Sequence, residues 1–286
     1  MRKELMACIL AFAWSLAPCA IGDDGDWYSD DERLFPVGDL FDPLVADPKQ
    51  PSFHISFHRL DWDLENTTMG AVGFGETFGI YRWTDPGERD GFQLSLSAGV
   101  FAQFDMETNS MDLLNADYVI GPALAFREGI FSARGRFYHQ SSHVGDEYLI
   151  NNKNAIRDRL NYSYESIELI GALDIGDFRP YAGVEYMVRR DPNDLDRRSM
   201  QFGIDYESEE RILLGGRLVG GFDFQTFEQH DWNPSGSVKI GVAYGERGPG
   251  RRNVRFMIEA FQGYMPFGQN YNLDVYWIGL GVYLGF

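Results

Sequence analysis

The 286-residue chain predicts an all-β fold, a transmembrane antiparallel β-barrel of about 12 strands of the outer-membrane type. Three observations point there. From residue 51 onward, segments of about ten residues alternate apolar with polar or small side chains between turn residues, as in strands with one face to lipid and the other to a lumen. The chain also opens on an export signal, and it closes on an alternating strand that ends in phenylalanine.

Met1-Arg-Lys precedes the apolar run Leu5 to Leu16, with small residues at Ala17, Ala20 and Gly22. That is the layout of a secretory signal peptide, residues 1–22. Cleavage after Gly22 removes Cys8 and Cys19 and leaves no thiol chemistry. Leu16-Ala17-Pro18-Cys19 is a competing lipoprotein-type box, which proline before the cysteine fits poorly. Residues 23–50 form an acidic irregular segment with nine acids and one base, Arg33, between 23 and 47. Its Phe35, Leu40, Phe41 and Leu44 suit a plug or periplasmic latch, while its composition equally suits a disordered leader. The whole chain carries 25 Lys+Arg against 43 Asp+Glu, which argues against a nucleic-acid partner. After the signal, no run approaches the roughly 18 to 20 apolar residues of a membrane-spanning helix.

Residues 51–286 are the expected barrel. Strands are expected near 52–62, 69–82, 92–104, 114–126, 130–143, 159–173, 178–189, 198–206, 211–227, 236–246, 252–263 and 272–286. An even count places both chain ends on the periplasmic side. Connections after even strands are mostly short (Arg127-Glu128-Gly129, Gly176-Asp177, Glu246 to Gly250), and those after odd strands mostly longer. The first strand turns Phe53, Ile55 and Phe57 outward, opposite His54 and His58. The second fits badly, because Glu76 shares the parity of Val72, Phe74, Phe78 and Ile80; a bulge there or a different register is expected. The third shows Leu94, Leu96, Ala98 and Val100 outward, and the tenth Val238, Ile240, Val242 and Tyr244. In the last, Tyr276, Ile278, Leu280, Val282, Leu284 and Phe286 share one face.

A soluble sandwich produces the same alternation with its apolar face inward. The signal peptide, the aromatic residues at strand ends (Trp62, Trp83, Tyr264, Tyr271), 32 glycines and the terminal Phe286 favour a membrane. A final phenylalanine resembles the signal that outer-membrane barrels present to their assembly machinery. That machinery and outer-membrane lipid are the expected partners, and the outer membrane the expected location.

The fifth strand decides where chemistry lies. Ser132, Arg134, Arg136, Tyr138 and Gln140 share a face, which must be luminal because two arginines on lipid cost roughly 2 to 4 kcal/mol each near the midplane. His139, Ser141 and His143 therefore face lipid. On the sixth strand, Ile167, Leu169, Gly171 and Leu173 set a parity that Glu165, Ser163, Asn161 and Arg159 continue. Pairing Phe131 with Leu173 sets His139 opposite Glu165, Ser141 opposite Ser163 and His143 opposite Asn161. At about 2.5 Å of climb per residue, His139 stands roughly 20 Å above Phe131 and Ser141 roughly 25 Å, at the outer interface.

A serine, a histidine two residues earlier on the same face, and a carboxylate or amide on the next strand suit ester hydrolysis. Ser141 is the candidate nucleophile, His139 the base, and Glu165 or Asn161 the group that orients it. The depth suits acyl esters of phospholipid or lipopolysaccharide. Asp146 and Glu147, with Asp158, offer hard oxygen ligands suited to Ca²⁺, though acidic loop residues more often serve as solvated surface.

The His-x-Ser of residues 139–141 resembles that of outer-membrane phospholipase A, a twelve-stranded barrel with an exterior Ser-His-Asn site. It also resembles the lipid A deacylases, which use His-x-Ser with a glutamate. In both families asparagine follows the serine, whereas Ser142 stands here, and His143 replaces the next glycine of the phospholipase. Over longer spans, residues 35–53 and 139–149 resemble a family of bacterial envelope proteins of unknown function, which implies no activity. Read without chemistry, the same polar row is an interfacial fringe on a structural barrel. As a second class of function, Arg134, Arg136, Arg217, Arg255 and Lys239 either pair with Glu185, Asp223 and Glu259 and occlude the lumen or line a narrow pore. His54 and His58 share a face that suits a metal or simple luminal filling. The glycines of residues 70–79 lack the following helix of a nucleotide site, and Asn66-Thr-Thr68 reads as a chance sequon.

Overall fold

The structure, a computed structural model, describes residues 33–62, 66–84, 88–151, 161–248 and 250–285. The signal peptide, residues 23–32, Asp158, Arg159 and Phe286 lie outside the described residues. Twelve antiparallel strands close into a barrel in which each pairs with its chain neighbours and the first pairs with the last. They are β1 (Phe53–Trp62), β2 (Thr67–Trp83), β3 (Gly91–Asp105), β4 (Leu113–Glu128), β5 (Phe131–His143) and β6 (Tyr162–Leu173), followed by β7 (Phe178–Asp191), β8 (Arg198–Leu213), β9 (Gly216–Phe227), β10 (Pro234–Gly245), β11 (Asn253–Tyr264) and β12 (Asp274–Gly285). A short helix, α1 (Asp146–Asn151), follows β5. No helix among the described residues is long and apolar enough to cross a membrane.

Alternation sorts the side chains. Phe57, Phe74, Leu96, Ile120, Phe137, Ile167, Phe202, Ile258 and Leu280 are exposed on the outer wall, while Ser95, Arg134, Gln140, Asp223 and Lys239 are buried inside. A continuous apolar exterior over a polar interior inverts a soluble core and matches a wall solvated by hydrocarbon.

Several expectations need correction. β8 continues through Glu207–Glu210, expected as a connection, takes in Arg211–Leu213, expected to open the ninth strand, and turns at Leu214 and Gly215, with φ of 50° and 77°. Two left-handed residues make the tight hairpin that matches strand twist, and Glu207 stays inside because it bonds Arg217 at 2.9 Å. On β2 no register shift occurs at Glu76, which pairs with Ala98 and is exposed on the outer face; the irregularity falls between Gly79 and Tyr81. The β1–β2 ladder ends at His54–Gly73. Beside this end of the ladder lies an open cavity of about 550 Å³ lined by Pro51, Ser52, Phe53 and Glu76. Of the strand-end aromatics, Trp83 is exposed, whereas Trp62 and Tyr271 pack in the luminal cluster and Tyr264 stacks on His230 at 3.7 Å.

The N-terminal segment enters the lumen. Leu40, Phe41 and Leu44 are buried against Ala125, Ile170, Ala172 and Tyr181. The Phe41 ring lies 4.4 Å from the Arg179 guanidinium and 4.9 Å from that of Arg134. Arg127 Nε donates to the Leu40 carbonyl at 2.8 Å, and the Val45 N–H to Asp205 at 3.0 Å. Arg134 and Arg136, both buried, share Glu168 at 2.9 and 2.7 Å, Tyr138 donates to Glu185 at 2.5 Å, and Lys239 lies over the Tyr283 ring. Glu259 accepts from Tyr283 and lies 3.2 Å from His58. His54 sits 3.0 Å from Ser52 and stacks on Tyr283. Among the described residues no three His, Cys, Asp or Glu side chains are grouped to hold a metal.

Candidate active site on the outer wall

β5 alternates as its arginines require. Ser132, Arg134, Arg136, Tyr138, Gln140 and Ser142 are buried inside, and Phe131, Phe137, His139, Ser141 and His143 point out. Its register against β6 pairs Phe131 with Leu173, His139 with Glu165 and Ser141 with Ser163. The ladder stops at Ser142–Tyr162. Asn161 therefore lies beyond β6, where its Nδ2 donates to Asp191 Oδ2 at 2.7 Å and is not aimed at His139. The pairing of His143 with Asn161 is absent, and the His143 ring instead meets Tyr118 edge-on at 5.7 Å.

The centre of the site is one contact. His139 Nδ1 lies 3.0 Å from Glu165 Oε1, with the two side chains 44% and 26% exposed. A carboxylate only accepts, so Nδ1 carries the proton and neutral imidazole keeps Nε2 as its acceptor. Ser141 stands two residues along the same face, about 6.6 Å away at the backbone. No hydrogen bond joins Ser141 to His139, and Ser163 faces Ser141 from β6.

One neighbour was not read from the sequence. The β6–β7 register shifts between Glu165 and Ser166, so Val188 and Arg189 are both exposed on the outer face. Arg189 Nε lies 4.0 Å from Glu165 Oε2 and its side chain is 84% exposed. A bulge turns a residue across the sheet at the cost of local pairing. The break in alternation at Met187-Val188-Arg189 was its only signal.

The wall is also irregular on the other side of His139. The β4–β5 ladder has pairs at Ile120–His139 and Ala123–Arg136 and none between. Pro122 has no N–H to give there, and a Cβ on Gly121 would lie 2.0 Å from the Phe137 carbonyl oxygen. Inside, the residues flanking Ser141 are held firmly. Ser142 Oγ donates to Asp117 at 2.6 Å, and Gln140 accepts from Tyr164 at 2.9 Å and from Lys49 at 2.5 Å. Asp146 is exposed on α1, and the Glu147 side chain lies outside the described residues.

A family model described as a protein of unknown function, DUF1207, matches residues 27–286. The chain belongs to this family. Among curated proteins, none matches it. Among solved structures, this DUF1207 barrel is similar to outer membrane phospholipase A from Escherichia coli, with a TM-score of 0.57 at 12% identity over 82% of this chain and 92% of the other. An active-site mutant of that enzyme gives the same score and identity over 93% and 95% of the two chains. The Salmonella typhi outer membrane phospholipase dimer with bound calcium also scores 0.57 at 12% identity, over 84% and 94%. At this identity the likeness is one of fold.

Proposed function

We propose that this DUF1207 barrel is an outer-membrane acyl-ester hydrolase, exported by its signal peptide, that acts on phospholipid or lipopolysaccharide from the outer face of its wall. The observation that carries the reading is the 3.0 Å contact of His139 with Glu165, on the lipid-facing side and next to Ser141. Glu165, not Asn161, is the orienting group in this reading. His139 Nε2 takes the Ser141 proton as Oγ attacks the ester carbonyl, and the imidazolium then protonates the departing alcohol. A water, deprotonated by the same nitrogen, releases the fatty acid and restores Ser141. Glu165 stabilises the imidazolium in both halves. Ser163 offers a hydroxyl donor to the developing oxyanion. Ser142 does not, since it points inward to Asp117.

Lipid is the expected partner at this depth, and the assembly machinery would read the C-terminal strand through Phe286. Calcium, held by Asp146 and Glu147, is a cofactor this reading admits, because two carboxylates and loop carbonyls are its usual ligands. The passive reading as a pore is disfavoured by Leu40, Phe41 and Leu44 of the N-terminal segment, which are buried against luminal residues. The test is fatty-acid release from phospholipid vesicles and from lipopolysaccharide by the refolded full chain, with calcium and with chelator. Ser141→Ala and His139→Ala should each abolish release from a barrel that still folds. Absence of release from both substrates with calcium present would overturn the proposal.

A further inference from the structure

The residues that alternate with His139 and Ser141 on β5 are gripped from inside the barrel by the N-terminal segment. Lys49 Nζ lies 2.5 Å from Gln140 Oε1 and 3.2 Å from Asp117 Oδ2. Asp117 is fully buried. It also accepts from Ser142 Oγ at 2.6 Å, from Asn115 Nδ2 at 2.8 Å and from the Gly268 N–H at 3.1 Å, the last on the β11–β12 connection. Gln140 precedes Ser141 and Ser142 follows it. The grip thus brackets the candidate nucleophile by one residue on each side.

Such bracketing matters because the backbone ladder is interrupted here. The β4–β5 pairs lapse between Ile120–His139 and Ala123–Arg136, just below the histidine. On the far side of Glu165 the β6–β7 register slips. A strand that lacks regular pairing on one side and borders a bulged neighbour has lower local stability than the rest of the wall. The side-chain network is then what fixes its twist and the angle at which alternate residues leave it. Among the described residues, Lys49 is the only member of that network contributed from outside the barrel wall and its loops. Its segment is seated in turn by Phe41 between Arg134 and Arg179 and by Arg127 on Leu40.

We infer that Lys49 is a positioning residue for the external site: by clamping Gln140 and Asp117 from the lumen, the N-terminal segment sets the geometry of His139 and Ser141 through the barrel wall. The inference rests on the hydrolase reading for its effect on turnover, but the mechanical coupling stands apart from it. No atom of Lys49 reaches the outer face, so the residue acts on the rate of chemistry and not on binding of lipid.

The full chain carrying Lys49→Met, refolded in detergent and in vesicles, tests this. Folding is read by heat-modifiable migration, coupling by amide hydrogen exchange over residues 138–143, and chemistry by fatty-acid release. The expected result is a folded barrel whose Gln140 to Ser142 amides exchange at least tenfold faster. Its kcat should fall about tenfold or more while KM changes less than twofold, and Lys49→Arg should recover most of both. Unchanged exchange and unchanged kcat in a folded Lys49→Met barrel would overturn the inference. So would a KM effect without a kcat effect. If Lys49→Met does not fold, Lys49→Gln is read by the same criteria. If the wild-type chain releases no fatty acid, the hydrolase reading fails on its own; exchange then decides the coupling, faster in the variant for it and unchanged against it.

Discussion

Glu165→Ala separates a catalytic pair from an ornamental one, because the structure assigns the two readings different magnitudes. The His139 and Glu165 side chains are 44% and 26% exposed, and the guanidinium near Glu165, that of Arg189, is 84% exposed at 4.0 Å. Pairs this open contribute only about 0.2 to 1 kcal/mol to stability, less in salt. Removing the carboxylate should therefore leave the barrel's urea midpoint almost where it was. In the proposed mechanism the same carboxylate fixes the imidazole tautomer and stabilises the imidazolium. General-base assistance of that kind is worth roughly 10² to 10⁴ in rate, or about 3 to 5 kcal/mol of transition-state stabilisation. Glu165→Gln should fall between, since its amide oxygen still accepts from Nδ1 but carries no charge. The assay is initial-rate fatty-acid release from phospholipid vesicles beside urea unfolding followed by tryptophan fluorescence. A loss of rate below about threefold, or one that merely tracks a loss of folded barrel, would refute the reasoning and leave the pair as a polar fringe.

Glu168→Gln should destabilise the barrel by about 3 to 5 kcal/mol in urea unfolding, because it leaves the buried Arg134 and Arg136 without the carboxylate they share. Phe41→Ala should expose the N-terminal segment to protease in an intact barrel, since it deletes a ring with 1% exposure at a cost of about 3 to 5 kcal/mol. Burial lowers the His230 pKa below its ordinary 6.5, so the unfolded chain binds the proton more readily than the folded one. The contribution of His230 is thus present above about pH 6.5 and lost as pH falls toward the depressed value. His230→Gln should flatten the dependence of the urea midpoint between pH 7.5 and pH 5, and an unchanged slope would count against it. Asn161→Ala should leave fatty-acid release within about twofold, since Asn161 bonds Asp191 and exposed polar contacts contribute little; a loss as deep as that of Glu165→Ala would return the orienting role to it.

How much of this was legible in the sequence depends on how far each feature reaches along the chain. The alternation is a property of every strand by itself, because successive side chains leave an extended backbone on opposite sides. That alone predicts twelve strands and their two faces. The parity of β5 followed from the expense of Arg134 and Arg136 on lipid, and counting from Phe131 and Leu173 placed His139 opposite Glu165, as the ladder has it.

What failed to follow from the sequence is non-local. Glu168 becomes the partner of two arginines only when β5 and β6 lie side by side. Glu207 stays in a strand because Arg217 waits on β9, and Glu76 keeps its outward parity because the β2–β3 ladder runs through it unbroken. The bulge that delivers Arg189 to Glu165, and the seating of Lys49 against Asp117, require the closed barrel. By itself the sequence determined how side chains alternate along each regular strand, since the period of a strand is fixed by covalent geometry. The tertiary structure alone decided which side chains meet, because closing the barrel brings together residues that no local pattern relates.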